Sequence, residues 1–272
     1  MEALSYIEEC LKNNKIIRWP DGCMPLTFYI APCRWYKAKN DSYSYIGMVH
    51  EALNIWQKVS NNKISFKIVN NINDSQINLD WKRVDRTSLG HCYFNFDASG
   101  RLYSAEVQIG LSDGVIHQDY QNKDEVFHTI LHEIGHALGL SHSPYQGDIM
   151  YVPHQYGTTS ISNNDITTLK WLYLFQYGAT KQEILSKYSM SPQNSLDNLV
   201  VKIEKGQNTK SAFAETCEQI QKKPSRDLSE DHAILAKLNL FNQVVQNISV
   251  SSDVQDYIKK TIINKNFDDK NK

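Results

Sequence analysis

A chain of 272 residues that is 41% hydrophobic and carries a formal net charge of −1 has the apolar content for a folded core and no basic excess to attract nucleic acid. At this length one domain with an appendage, or two small domains, is expected. No run of about 18 apolar residues occurs, which excludes a helical membrane span.

The first residues, MEALSYIEECLKNNK, place two glutamates side by side and lack a basic segment leading into an apolar one. They do not read as a secretory signal, so the compartment stays open, a cytoplasmic one included. Residues 1–16 are expected to form an arm or a short helix. PLTFYIA (25–31) follows a PDG turn and has the aromatic and β-branched content of a strand. In YIGMVHEALNIWQKV (45–59), Ile46, Val49, Leu53, Trp56 and Val59 recur at helical spacing. ISFKIVN (64–70), SQINLDW (75–81), HCYFNF (91–96) and AEVQIGL (105–111) read as strands, the last two joined by a DASGR turn. A second helix is expected over 122–138, with Val126, Ile130, Ile134, Ala137 and Leu138 on its apolar side and Gly139 as its stop. A third is expected over 162–178, opened by Ser162 with Asp165 as a capping pair and closed by Gly178. This order of elements gives an α+β domain over 17–180. From 181 to 272 strand signals vanish and the pattern is helical, which reads as a helical appendage ending in a frayed NKNFDDKNK tail. The five cysteines, Cys10, Cys23, Cys33, Cys92 and Cys217, form no C-x-x-C pair and read as separate thiols.

The chemistry concentrates in HEIGHALGLSH, residues 132–142. His132 and His136 are one helical turn apart and present both imidazoles on one face, a spacing that grips a single zinc ion. Gly139 lets the helix break so that His142 returns as third ligand, and three nitrogens leave a fourth position for water, as a catalytic zinc site requires. Glu133 is rotated about 100° from His132 and is placed to take a proton from that water rather than to ligate. The reaction class is peptide-bond hydrolysis through activated water, with Glu133 as general base and then as acid to the leaving amine. Gly135, inside the helix, points to close approach by another segment.

With His132, Glu133, His136, Gly139, His142 and Ser143 in place, the chain resembles the metzincin metalloproteases and, within them, the matrixin (matrix-metalloprotease-like) branch. PLTFYI, HEALNIWQKVS, SQINLDW, AEVQIG and SISNNDITTLKWLY follow that family's order of elements over residues 17–178. The resemblance implies a twisted mixed sheet with an antiparallel edge strand, two long helices and a C-terminal helix. It implies that DIMY (148–151) is the Met-turn, with Met150 beneath the metal, and that AEVQIG is the edge along which substrate lies. It further implies that Pro153 to Tyr156 wall the pocket for the side chain just after the cleaved bond. His128, one turn before His132, would line that pocket, as a pH-sensitive floor or as a buried, hydrogen-bonded histidine. The family's secreted or extracellular setting comes with the same resemblance. Of the family's structural metal ligands only His91 has a counterpart, and DASGR is poor in carboxylates, so one catalytic zinc is expected and calcium lacks a clear site. Cys23 and Cys33 read as structural.

The leading reading is therefore a zinc endopeptidase acting on polypeptides. The alternatives are a non-catalytic zinc-containing binding protein that uses its C-terminal helices, and a secreted effector protease with a single host target.

Overall fold

The structure is a computed structural model, and it describes residues 5–33, 44–83, 89–111 and 123–206. The chain divides into two compact units, Met1–Lys210 and Ser211–Lys272. The second unit, with the helical segments expected beyond 210, lies outside the described residues.

The first unit opens with a small hairpin, β1 (Leu11–Lys12) and β2 (Lys15–Ile16). Asn13 and Asn14 between them have φ of 52° and 61°, as a two-residue hairpin turn of the right twist demands. Of the two expectations for the N-terminus, an arm or a short helix, the described residues take the form of an arm. Residues 6–11 are held by successive turn hydrogen bonds, from the Glu9, Cys10 and Leu11 amides to the carbonyls of Tyr6, Ile7 and Glu8.

β3 (Leu26–Ile30), α1 (Tyr45–Val59) and β4 (Phe66–Val69) follow, then β5 (Ile77–Arg83), β6 (Gly90–Phe96) and β7 (Leu102–Leu111). These strands make one five-stranded sheet in the order β4-β3-β5-β7-β6. β3 pairs in parallel with β4 and β5, β5 pairs in parallel with β7, and only β6 runs antiparallel, against β7. The sheet therefore has the mixed character and antiparallel edge expected. The edge is β6, however, and AEVQIG lies inside the sheet within β7, between β5 and β6. A hairpin folds β7 back on β6 and carries HCYFNF to the outside.

Alternation sets the faces. Phe28, Ile77, Leu79, Val107 and Ile109 point into the core, as a period of two along each strand requires. α1 buries Tyr45, Met48, Val49, Ala52, Leu53 and Trp56. Its face is rotated from the expected one, since Ile46 is exposed and Tyr45 packs against Trp81 instead. α2 (Lys123–Ala137) is buried on nearly every side. The Trp56 and Trp19 indole N–H groups donate to its Leu131 and Ala137 carbonyls at 3.1 and 2.8 Å.

α3 (Asn163–Leu174) starts as read, with Ser162 and Asp165 forming a reciprocal capping box. It stops at Phe175 rather than at Gly178, because Phe175 turns extended and its carbonyl accepts from Arg18 Nε at 2.9 Å. α4 (Lys181–Lys187) and a helix over 196–206, α5, complete the described residues. Ile184, Leu185, Leu196, Leu199 and Val200 join the same core as Tyr6, Ile7 and Ile16. No helix among the described residues is long and apolar enough to cross a membrane.

Candidate active site

α2 places His132 and His136 one turn apart and ends at Ala137, two residues before Gly139, whose φ of 101° turns the chain sharply back. A β-carbon there would also meet the Ile17 carbonyl at 2.8 Å, so glycine is required twice over. The turn delivers His142. One ring nitrogen from each of His132, His136 and His142 lies within 4.8 Å of the others, and the Nε2 atoms of His132 and His136 are 3.1 Å apart. A tetrahedron with bonds of ~2.0 Å has edges of about 3.3 Å, so the spacing suits one zinc-sized ion.

The other ring nitrogens are already used. His132 Nδ1 is 2.8 Å from the Ile149 carbonyl, and His136 Nδ1 is 2.8 Å from that of Leu140. A carbonyl can only accept, so each ring carries its proton on Nδ1 and turns a bare Nε2 toward the common centre. Burial reinforces this, pushing His132 well below the usual histidine range and His136 down to about 4. His142 is lowered by burial and then by the nearby Lys12 charge. All three imidazoles are thus neutral at pH 7, the state that binds a metal.

Glu133 lies in the same cleft, buried, with its carboxyl pushed up to about 8 by desolvation. Gly90, at the start of β6, packs on it so closely that a β-carbon would fall 2.6 Å from Glu133 Oε1 and 2.6 Å from Thr129 Cγ2. Gly90 was missed in reading the sequence, although an isolated glycine opening a strand is a signal of close backbone approach.

Behind the histidines lies the turn carrying Met150. Met150 is fully buried, and a β-carbon on Gly135 would overlap its Sδ, which explains the glycine in mid-helix. Ser143 secures this turn, donating from Oγ to Asp148 at 2.5 Å and from its amide to the Met150 carbonyl at 2.9 Å. Asp165 of the α3 capping box accepts from the Ile149 amide at 2.8 Å.

The cleft has a volume of about 730 Å³ and is bounded by β6 from Gly90 to Phe94 on one side and by Tyr151–His154 on the other. His128 and Pro153 line it, whereas Tyr156 is 73% exposed, does not line it, and meets the cleft only through the His154 ring at 5.3 Å. His128 lines the cleft, and it is buried with its Nδ1 bonded to the Thr158 carbonyl at 2.7 Å. Its neighbour His154 contacts Glu125 at 2.5 Å, a pair the sequence did not reveal.

A sequence model described as Matrixin matches residues 19–174, more than half of the chain. The chain belongs to the matrixin family. Among curated proteins this matrixin is similar to "Probable matrix metalloproteinase 095L" of Invertebrate iridescent virus 3, with 28% identity over 152 residues, covering 52% of this chain and 40% of that protein. Two ascovirus proteins whose names carry the words "matrix metalloproteinase" also match. That of Trichoplusia ni ascovirus 2c is 24% identical, covering 50% of this chain and 30% of its own length; that of Heliothis virescens ascovirus 3e is 26% identical, covering 53% and 34%. The matched part of this matrixin thus spans 30% to 40% of the length of these relatives.

Elsewhere, Asp97 of DASGR spends both oxygens on Ser99 and Arg101, and the His91 ring meets that of Tyr93 at 4.3 Å, tilted by 52°. Among the described residues the histidine triad is the one group placed to share a metal ion. Cys10, Cys23 and Cys92 are free thiols; burial pushes Cys10 up to about 12 and also raises Cys92, so neither of these two is a thiolate at neutral pH.

Proposed function

We propose that this matrixin is a zinc-dependent endopeptidase, with His132, His136 and His142 as ligands and Glu133 as general base. The observation that carries the reading is the convergence of neutral, backbone-oriented imidazoles beside a buried carboxyl in one cleft. Nitrogen donors on three sides suit zinc and leave a position open. When bound there, zinc would act as a Lewis acid on water and on the substrate carbonyl.

The chain supplies the rest. Glu133 receives the proton of the attacking water and passes it to the departing amine; burial raises its proton affinity, which favours holding the proton between the two transfers. Gly90 packs against Glu133, which occupies space that a β-carbon there would fill. The outer edge of β6 receives the substrate as an added strand. Pro153 and His128 shape the pocket for the side chain after the bond, Tyr156 forms its outer rim, and Met150 underlies the metal.

The test is a zinc determination on the purified chain combined with cleavage profiling on an unbiased peptide library. One zinc per chain and cleavage that is lost with chelator and restored by zinc are expected. Full zinc occupancy without any cleavage would instead identify a non-catalytic binding protein.

A further inference from the structure

His128 and His154 line the cleft beside His132, with the His128 ring 6.1 Å from His132 and 4.3 Å from His154, whereas Lys12 lines it beside His142, bonded to Ser141; Pro153, Glu9 and Leu140 line the same cleft. Glu9 and Lys12 come from outside the matrixin match, which begins at residue 19.

The segment that carries them is fixed by elements that also lie outside that match. The Ile7 amide donates to Asp197 at 2.7 Å, and the Glu8 carboxylate accepts from the Leu196 amide at 2.8 Å and pairs with Lys181. A further tie reaches into the match itself, where Tyr6 donates to Asp165 at 2.7 Å. α4 and α5 thereby hold β1 against the cleft, with Lys12 at the last position before the Asn13–Asn14 turn.

Lys12 is half-buried, and its ammonium donates to Ser141 Oγ at 3.1 Å, beside the third histidine. Among the described residues no carboxylate pairs with it; Glu9, on the same rim, is exposed and stands outside ion-pair distance. A partly desolvated cation facing a peptide cleft with a hydroxyl as its hydrogen-bond partner is a ready acceptor for a carboxylate.

We propose that Lys12 is a specificity residue that receives an acidic side chain of the substrate, on the side of the scissile bond opposite the His128 pocket. That is the N-terminal side of the bond. The inference rests on the endopeptidase reading for the identity of the ligand as a peptide. It also gives the arm and α4–α5 a function, since they build the wall that presents Lys12.

The test separates the two claims by measuring binding apart from cleavage. The full chain carrying Glu133→Gln, loaded with zinc, is titrated into short fluorescent peptides that differ only by Glu or Gln at each position on the N-terminal side of the bond. At one position the Glu peptide is expected to bind about fivefold tighter, the scale of a single well-placed charge pair. Lys12→Ala should bring the pair to within about twofold and Lys12→Glu should reverse the preference, while about 0.5 M salt should shrink it in the parent. Equal affinities in the parent would overturn the inference, as would a preference that survives Lys12→Ala or no peptide binding at all. If Lys12→Ala weakens both peptides equally, Lys12 merely braces the Ser141 loop and the inference fails. Cleavage by the unaltered chain is scored separately: acid-selective binding without cleavage contradicts the endopeptidase reading and leaves the role of Lys12 standing.

Discussion

Glu133 sits where desolvation takes its carboxyl up to about 8, packed against Gly90 in space that a β-carbon there would fill. Glutamine has the same shape and keeps that packing, but its amide cannot accept a proton. Glu133→Gln should therefore retain stoichiometric zinc while kcat/KM falls by about 10²–10⁴, the usual span for loss of a general base. Zinc analysis and peptide turnover on one sample check this, and retained turnover would place the base elsewhere. Gly135 makes a different demand. A methyl group at this position gains helix propensity, about 1 kcal/mol, but overlaps Met150 Sδ and presses on Trp56 Cζ2 at 3.2 Å, both in the buried core. Overpacking of this kind costs about 1–3 kcal/mol, so Gly135→Ala should lower the midpoint of urea unfolding with little change in slope. An unchanged or raised midpoint would show that Met150 repacks freely.

The elements differ in how far they could be read in advance, and the differences have physical causes. α2 and its stop were legible because ligand spacing, apolar periodicity and a glycine in the left-handed region all point the same way. The five strands of the main sheet were legible one by one, but their neighbours were not, and the β1–β2 hairpin was not read as strands at all. Alternation reports which face is buried and says nothing of which strand lies alongside, so the place of β6 outside β7 became visible only through pairing. α3 shows the same contrast within one helix. Its start is written locally in Ser162 and Asp165, whereas its end depends on Arg18, far away in the chain, which takes the Phe175 carbonyl. Gly178 instead pairs its amide with the Ile16 carbonyl at 2.8 Å and packs on Ser99, so its freedom serves a close approach and not a helix stop. Because the Ser162 cap is local, Ser162→Ala should cost about 1 kcal/mol, within the 0.5–2 range of lost caps, and should lower the thermal midpoint by a few degrees without altering zinc content. A loss several times larger would mean that the cap also governs the Met-turn through Asp165, which accepts from both Ser162 and Ile149.

At the scale of the molecule, the arm, α4 and α5 are part of the same core as the part matched to the matrixins. Nothing in a sequence pattern announces this, since Tyr6 and Ile7 find their partners more than 150 residues away. Tyr6 and Ile7 are at most 1% exposed, and Ile184, Leu185, Leu196, Leu199 and Val200 are at most 4% exposed. Removing a single buried leucine side chain typically costs about 2–5 kcal/mol, while a whole domain is stable by only about 5–15 kcal/mol. A chain ending at residue 180 loses all five of those apolar residues together with the Asp197, Leu196 and Lys181 contacts to the arm. It should therefore be unfolded or lack a cooperative thermal transition at 25 °C. Leu199→Ala in the full chain should stay folded with a transition lowered by about 2–5 kcal/mol. Circular dichroism melts of the two proteins beside the parent decide the matter. A truncated chain that melts cooperatively at the parent temperature would show that α4 and α5 are attachments, and the frame that carries Lys12 to the cleft would then be dispensable for the fold.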